Sequence, residues 1–115
     1  MTNETMEGNQ TQAEAIPAYE LQPGDKFKYK STKPDWEYIV YKRLKNKTNP
    51  EHEEIRFARI VKTIEGGIRY ERRPATDVIN RIAISKKRDS CHWDQMVLRT
   101  SRNQDIPDTE RIVVL

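Results

Sequence analysis

The fold of this chain is decided by residues 55 to 73, IRFARIVKTIEGGIRYERR, where two runs of alternating side chains meet at a pair of glycines. Successive residues of a strand point to opposite faces of a sheet, and a tight turn keeps the paired faces in register. The stretch therefore predicts a β-hairpin. Its two loop residues are either Gly66-Gly67 or Glu65-Gly66, because a two-residue hairpin turn holds its central residues at positive φ.

Both turn registers divide the hairpin side chains in the same way. The face expected to be buried carries Val61, Thr63, Ile68 and Tyr70. The face expected to point to solvent carries Lys62, Ile64, Arg69 and Glu71. The alternation slips between residues 58 and 60, which predicts a β-bulge at that place.

Five further segments have the pattern of short strands, at residues 26–30, 36–44, 78–84, 95–100 and 111–115. The first follows the turn residues Pro23-Gly24-Asp25 and alternates aromatic side chains with lysines. The segment 78–84 is ambiguous, because Thr76 could cap a short helix there. Its β-branched side chains favour a strand, which is the interpretation adopted.

Strands separated by turn signals, with little helix, predict a mainly β domain. We expect a small SH3-like β-barrel or a compact sandwich of five to seven short strands, with at most one short helix. A strand that opens after Pro-Gly-Asp, followed by longer strands and a tight hairpin, resembles the general SH3-like barrel layout. Such barrels host many unrelated activities, so the resemblance implies a fold and not a function.

The charges of the chain are distributed unevenly. Residues 1–18 are polar and acidic with few large apolar groups, which predicts a disordered tail ahead of a single domain at residues 19–115. All 21 basic residues follow Asp25, whereas four of the 18 acidic residues precede residue 21. The folded part is therefore expected to carry about +7 and to attract phosphates, although such a charge can also serve only as a solvated surface.

Several function classes lack support in the sequence. The N-terminus has no apolar signal segment and no stretch is long and apolar enough to span a membrane, so a cytoplasmic protein without membrane contact is expected. Cys91 is the only cysteine, and as neighbours on a strand Cys91 and His92 would point to opposite faces. His52 lies in a polar loop without a ligand motif. We therefore predict no enzyme, no metal site and no cofactor.

The leading functional hypothesis is a non-enzymatic module that contacts nucleic acid through a basic surface. Small barrels bind single strands by combining cations with aromatic rings on which bases stack. Candidate rings are Tyr41, Trp93 and Trp36. The cations assigned to phosphate contact are Lys28, Lys30, Lys42, Arg43, Arg69, Arg72, Lys86, Lys87 and Arg88.

The alternative hypothesis is a protein–protein interaction module. A compact barrel with a long charged loop at residues 45–54 could dock as an accessory or inhibitory protein on a larger protein partner, through a loop or an exposed strand edge. The aromatic residues also allow a purely structural interpretation, because large rings in a small barrel usually belong to the core.

Overall fold

The computed structural model describes residues 13–30, 36–45, 47–48, 52–74, 76–81 and 93–115. Within them the chain forms eight strands and two single 3-10 turns, the turns lying at Ala18–Glu20 and Thr109–Arg111. The strands are β1 (Glu14–Pro17), β2 (Lys26–Tyr29), β3 (Glu37–Lys45), β4 (Glu53–Lys62), β5 (Ile68–Arg72), β6 (Val78–Arg81), β7 (Met96–Ser101) and β8 (Ile112–Val114).

All eight strands belong to one sheet. Seven of them follow the order β1-β7-β2-β3-β4-β5-β8, and the eighth, β6, lies off this path and pairs with β4. The pairs are antiparallel except for β5 and β8, which run parallel. The mainly β prediction is confirmed, and each of the seven predicted strands is present. The ambiguous segment is a strand from Val78 to Arg81, and its remainder lies outside the described residues.

The eighth strand, β1, corrects the predicted tail. Residues 1–12 lie outside the described part of the chain, but residues 14–17 pair with β7 in regular antiparallel register. Ile16 is 5% exposed and Ala18 is 1% exposed. The prediction was wrong here because a strand with one large apolar side chain has too weak a pattern to be recognised alone.

One face of the sheet, called the inner face below, packs the main core. Phe27, Tyr38 and Phe57 form its centre, and the Phe57 ring lies 5.1 Å from each of the other two ring centroids. Ile16 of β1 and Ile79 of β6 join the same cluster. Strands from distant parts of the sheet therefore bend around one core, although the sheet is not closed.

The opposite, outer face carries a second and smaller cluster. Tyr41, Ala58 and Ile112 are buried there, with Tyr70 packed against them. The segment 105–109 also faces Tyr41 and Tyr70 across a cleft. Strands β3 and β4 thus bury side chains on both faces of the sheet.

The hairpin forms between β4 and β5, but with a loop of a different length. Lys62 pairs with Ile68, and Thr63 N–H donates to Gly67 O, which leaves three loop residues. Of the two hairpin glycines, only Gly66 has positive φ, at 90°. This is the pattern of three-residue loops that end in a left-handed residue. Gly67 N–H also donates to the Thr63 hydroxyl oxygen at 2.9 Å.

An odd number of loop residues exchanges the faces of the second strand relative to the first. Ile68 and Tyr70 consequently share the outer face with Ile60, and the predicted buried face of Val61, Thr63, Ile68 and Tyr70 does not exist. Ile68 is 47% exposed, whereas Glu71, assigned to solvent, is 9% exposed. The prediction was wrong because both registers considered had even loops.

The bulge lies on β3 and not at residues 58–60 of β4. Val40 pairs with Phe57 and Lys42 with Arg56, so Tyr41 is the extra residue. An extra residue reverses the alternation downstream of it. Arg43 therefore comes to the inner face beside Ile55, while Lys42 remains on the outer face.

Candidate functional site

An exposed tryptophan marks one end of the sheet. Trp36 is 39% exposed and immediately precedes β3. The Arg59 guanidinium lies 4.5 Å from the centre of its ring, a cation–π distance. Arg59 thus packs over the indole ring of Trp36, and part of the indole stays accessible to solvent.

Two arginines at this end share one carboxylate. Arg59 Nη2 lies 3.4 Å from Glu71 Oε1, and Arg69 Nη2 lies 2.9 Å from Glu71 Oε2. The Glu71 side chain is only 11% exposed, while that of Arg69 is 53% exposed. The single carboxylate of Glu71 therefore pairs with two guanidinium groups, and a net positive charge remains beside Trp36.

Lysines of β2 flank the same end. The β2–β3 register pairs Lys26 with Ile39 and Phe27 with Tyr38. Continuing it by two residues brings Trp36 level with Tyr29 on the inner face, so Lys28 and Lys30 lie at the same end of the sheet but point to the outer face. The strand alternates as predicted, because Phe27 is buried while Lys28 is half-buried and Lys30 is exposed. We call Lys28, Lys30, Trp36, Arg59 and Arg69 the Trp36 site.

At the other end of β3, Arg43 has a structural role. Its Nη1 donates to the carbonyl oxygens of Tyr19 at 2.9 Å and Leu21 at 2.8 Å, and its Nη2 lies 3.4 Å from Glu53. The guanidinium also lies 5.6 Å from the centre of the Trp93 ring, on which Tyr19 stacks. These contacts fasten the segment before β2 onto the sheet and occupy the donors predicted to bind phosphate.

Arg72 is likewise engaged inside the protein. Its Nη1 donates to the Tyr41 hydroxyl at 2.9 Å, and its Nε is buried without a partner in the described residues. Tyr41 lines a cleft of about 690 Å³ on the outer face, together with Tyr70, Lys42 and Arg111. Arg111 lies over the Tyr70 ring at 6.0 Å.

An ion pair between the buried Arg99 and the exposed Glu14 joins β1 and β7. Arg99 Nη2 lies 2.7 Å from Glu14 Oε1, and Arg99 Nη1 lies 3.4 Å from Asp25 Oδ2. The hydrogen bond and charge of Arg99 lower the pKa of Glu14 from its ordinary value. Burial alone would lower the pKa of Arg99, but the bond to Glu14 and the charge of Asp25 outweigh it and raise that pKa.

The nine predicted cations therefore do not form one surface. Lys28, Lys30 and Arg69 lie at the end of the sheet that carries Trp36. Lys42 and Arg43 lie at the opposite end of β3, on opposite faces, and Arg72 is turned into the outer cluster. Lys86, Lys87 and Arg88 lie outside the described residues.

The candidate rings also differ from one another. Tyr41 is 8% exposed, so its proposed role as a stacking surface was wrong. Trp93 is half-buried, packs against the main core and stacks with Tyr19. Only Trp36 keeps a large exposed ring beside cations. Sequence reasoning missed Arg59, because it lies in the middle of a strand and nothing local indicates its tryptophan partner.

Among the described residues, no group of three or more histidine, cysteine, aspartate or glutamate side chains could hold a metal ion. No helix in the same part of the chain is long and apolar enough to cross a membrane. No family model, curated protein or solved structure matches this chain significantly.

Proposed function

We propose that this protein is a binding module for nucleic acid and that the Trp36 site is its contact surface. The observation that carries the proposal is the exposed indole of Trp36, backed by Arg59 at 4.5 Å. An aromatic ring beside cations is the combination on which unpaired bases stack while their phosphates are neutralised. Arg59 fixes the ring orientation before binding, which lowers the entropy lost in the complex.

Lys28 and Lys30 lie at the same end of the sheet as Trp36 but on its opposite face, where they would bind the phosphates of a strand that passes around this end. Neither forms an ion pair within the described part of the chain. Arg69 is more exposed than Arg59 and supplies a third contact, weakened by its bond to Glu71. Because phosphate contacts release counterions, binding should weaken steeply as salt rises.

The test is a fluorescence polarisation titration with labelled single- and double-stranded DNA and RNA of about 15 nucleotides, at about 50 and about 200 mM salt. The double variant Lys28→Glu, Lys30→Glu should bind at least about tenfold more weakly than the unchanged protein. Lys45→Glu, Lys47→Glu is the matched control, since it changes the charge equally at the other end of the sheet and should affect binding less. Absence of binding at low salt, or equal losses in the two variants, would refute the proposal.

A further inference from the structure

The last strand of the sheet has an open outer edge. β8 pairs with β5 on one side, and no described strand pairs with it on the other. Leu115 N–H donates to Arg72 O at 2.9 Å, so the amide of residue 115 points toward β5. Alternate residues of a strand turn their amides to opposite edges, so the N–H group of Val114 points outward. The N–H group of Ile112 donates to Thr109 O in the preceding 3-10 turn.

Apolar side chains line this edge on both faces of the sheet. Val113 lies beside Glu71 and is 42% exposed, while Val114 lies beside Arg72 and is 60% exposed. Ile68 and Leu115 continue the patch at 47% and 57% exposure. Large aliphatic groups clustered on an unpaired edge are the features that an added strand buries.

The charges around the edge decide which strand fits. Arg111 immediately precedes β8, and the exposed Arg73 follows the end of β5. In a two-fold antiparallel pair of β8 strands, the start of one strand meets the end of the other. Arg111 of one copy would then approach Arg73 of the second copy, and this like-charge contact disfavours a dimer.

We propose that β8 is a docking edge for an extended protein segment that alternates acidic and apolar residues. The segment adds to the sheet through the outward N–H group of Val114, and its apolar side chains cover Val113, Val114 and Ile68. Its carboxylates face the arginines around the edge. This surface is separate from the Trp36 site, so the inference does not depend on nucleic-acid binding.

The test uses two blocked synthetic heptapeptides, one alternating glutamate and valine, the other alternating lysine and valine. Amide chemical shifts are followed by heteronuclear NMR of the full chain. The acidic peptide should shift the Val114 amide selectively and bind at least tenfold more tightly than the basic peptide. No shift at this amide, or equal binding of the two peptides, overturns the inference.

Two variants at one position separate backbone from side-chain effects. Val114→Pro removes the outward donor but leaves the Leu115 bond to Arg72, and proline is tolerated on strand edges that face solvent. It should lose acidic-peptide binding, whereas Val114→Ala keeps the donor and should bind within a fewfold of the unchanged chain. Undiminished binding by a folded Val114→Pro variant contradicts strand addition. Should that variant not fold, the shift map of the unchanged chain decides alone.

Discussion

Lys42 and Arg43 are adjacent basic residues with opposite roles, and the difference arises from one extra residue. The bulge at Tyr41 places Lys42 on the outer face, where it is exposed, and Arg43 on the inner face. Arg43 then donates hydrogen bonds to the backbone carbonyls of Tyr19 and Leu21. Arg43, which was predicted to contact phosphate, instead holds the segment before β2 against the sheet.

We expect Arg43→Met to lower the free energy of unfolding by about 1 to 3 kcal/mol, because the carbonyl groups of Tyr19 and Leu21 lose their donor. Lys42→Met is the matched control and should change that free energy by less than about 0.5 kcal/mol. Urea denaturation followed by fluorescence measures both. Similar effects for the two variants would contradict the structural role of Arg43.

Two glycines with positive φ allow the free-energy cost of backbone strain to be separated from the cost of a steric clash. Gly24 has φ of 95°, and a Cβ there would lie 3.1 Å from Gln104 O. Gly66 has φ of 90°, but a Cβ there would meet nothing within 4 Å. Gly66→Ala should therefore cost about 1 to 2 kcal/mol, the price of the left-handed conformation alone.

Gly24→Ala should cost more than Gly66→Ala, because the backbone of Gln104 must also move away. Gly24 N–H donates to Val40 O, and its carbonyl accepts from Gln104 N–H, so this movement disturbs two hydrogen bonds. Thermal unfolding by circular dichroism compares the variants. Equal melting temperatures would show that the contact with Gln104 relaxes freely.

At the scale of elements, β1 is attached to the sheet by its pairing with β7, by the buried Ile16 and by one ion pair. Arg99 joins Glu14 of β1 to Asp25, next to β2. Arg99 therefore ties the edge strand to the centre of the sheet. This ion pair makes the attachment of β1 sensitive to pH.

The lowered pKa of Glu14 fixes the direction of that dependence. Its carboxylate stabilises the folded state above the ordinary glutamate pKa of 4.5, and the contribution is lost as pH falls through the lower pKa of the folded state. The stability difference between the unchanged chain and Glu14→Gln should be constant at neutral pH and shrink in this acidic range. Denaturation curves at successive pH values measure the difference.

The matched control is Glu65→Gln at the exposed hairpin tip, where no ion pair is present in the described structure. The stability difference between this variant and the unchanged chain should not change across the same pH range. A difference for Glu14→Gln that grows on acidification would have the wrong sign and would exclude the assigned role of Arg99.

At the scale of the whole molecule, the order of the strands is far from the order of the chain. β7 lies between β1 and β2, although residues 18–95 separate it from β1 and residues 30–95 separate it from β2. The ion pairs of Arg99 join it to Glu14, 85 positions away in the sequence, and to Asp25, 74 positions away. Folding must therefore close long loops before the central strands are complete.

We expect folding in milliseconds to seconds, as for β proteins dominated by non-local pairing. Stopped-flow refolding observed through Trp36 and Trp93 measures the rate. The variant Val97→Ala, in the centre of β7, should lower stability and accelerate unfolding. Refolding in microseconds would contradict the inferred dependence on long-range strand pairing.

The sequence by itself determined the class of fold and the positions of seven strands, because alternation along a strand reflects which side chains meet water. It also determined that Lys28 and Lys30 would point to the face of β2 opposite that of Phe27. These properties are local, since each depends on residues within one strand or one turn.

Tertiary structure alone decided the face on which the later residues of β3 and β5 lie. One extra residue at Tyr41 and one extra loop residue before Gly67 reversed the alternation beyond them. It also paired Arg59 with Trp36 and Arg99 with Glu14, across strands distant in the chain. Which cations remain available for a ligand depends on those pairings, and a single sequence does not encode them in any local pattern.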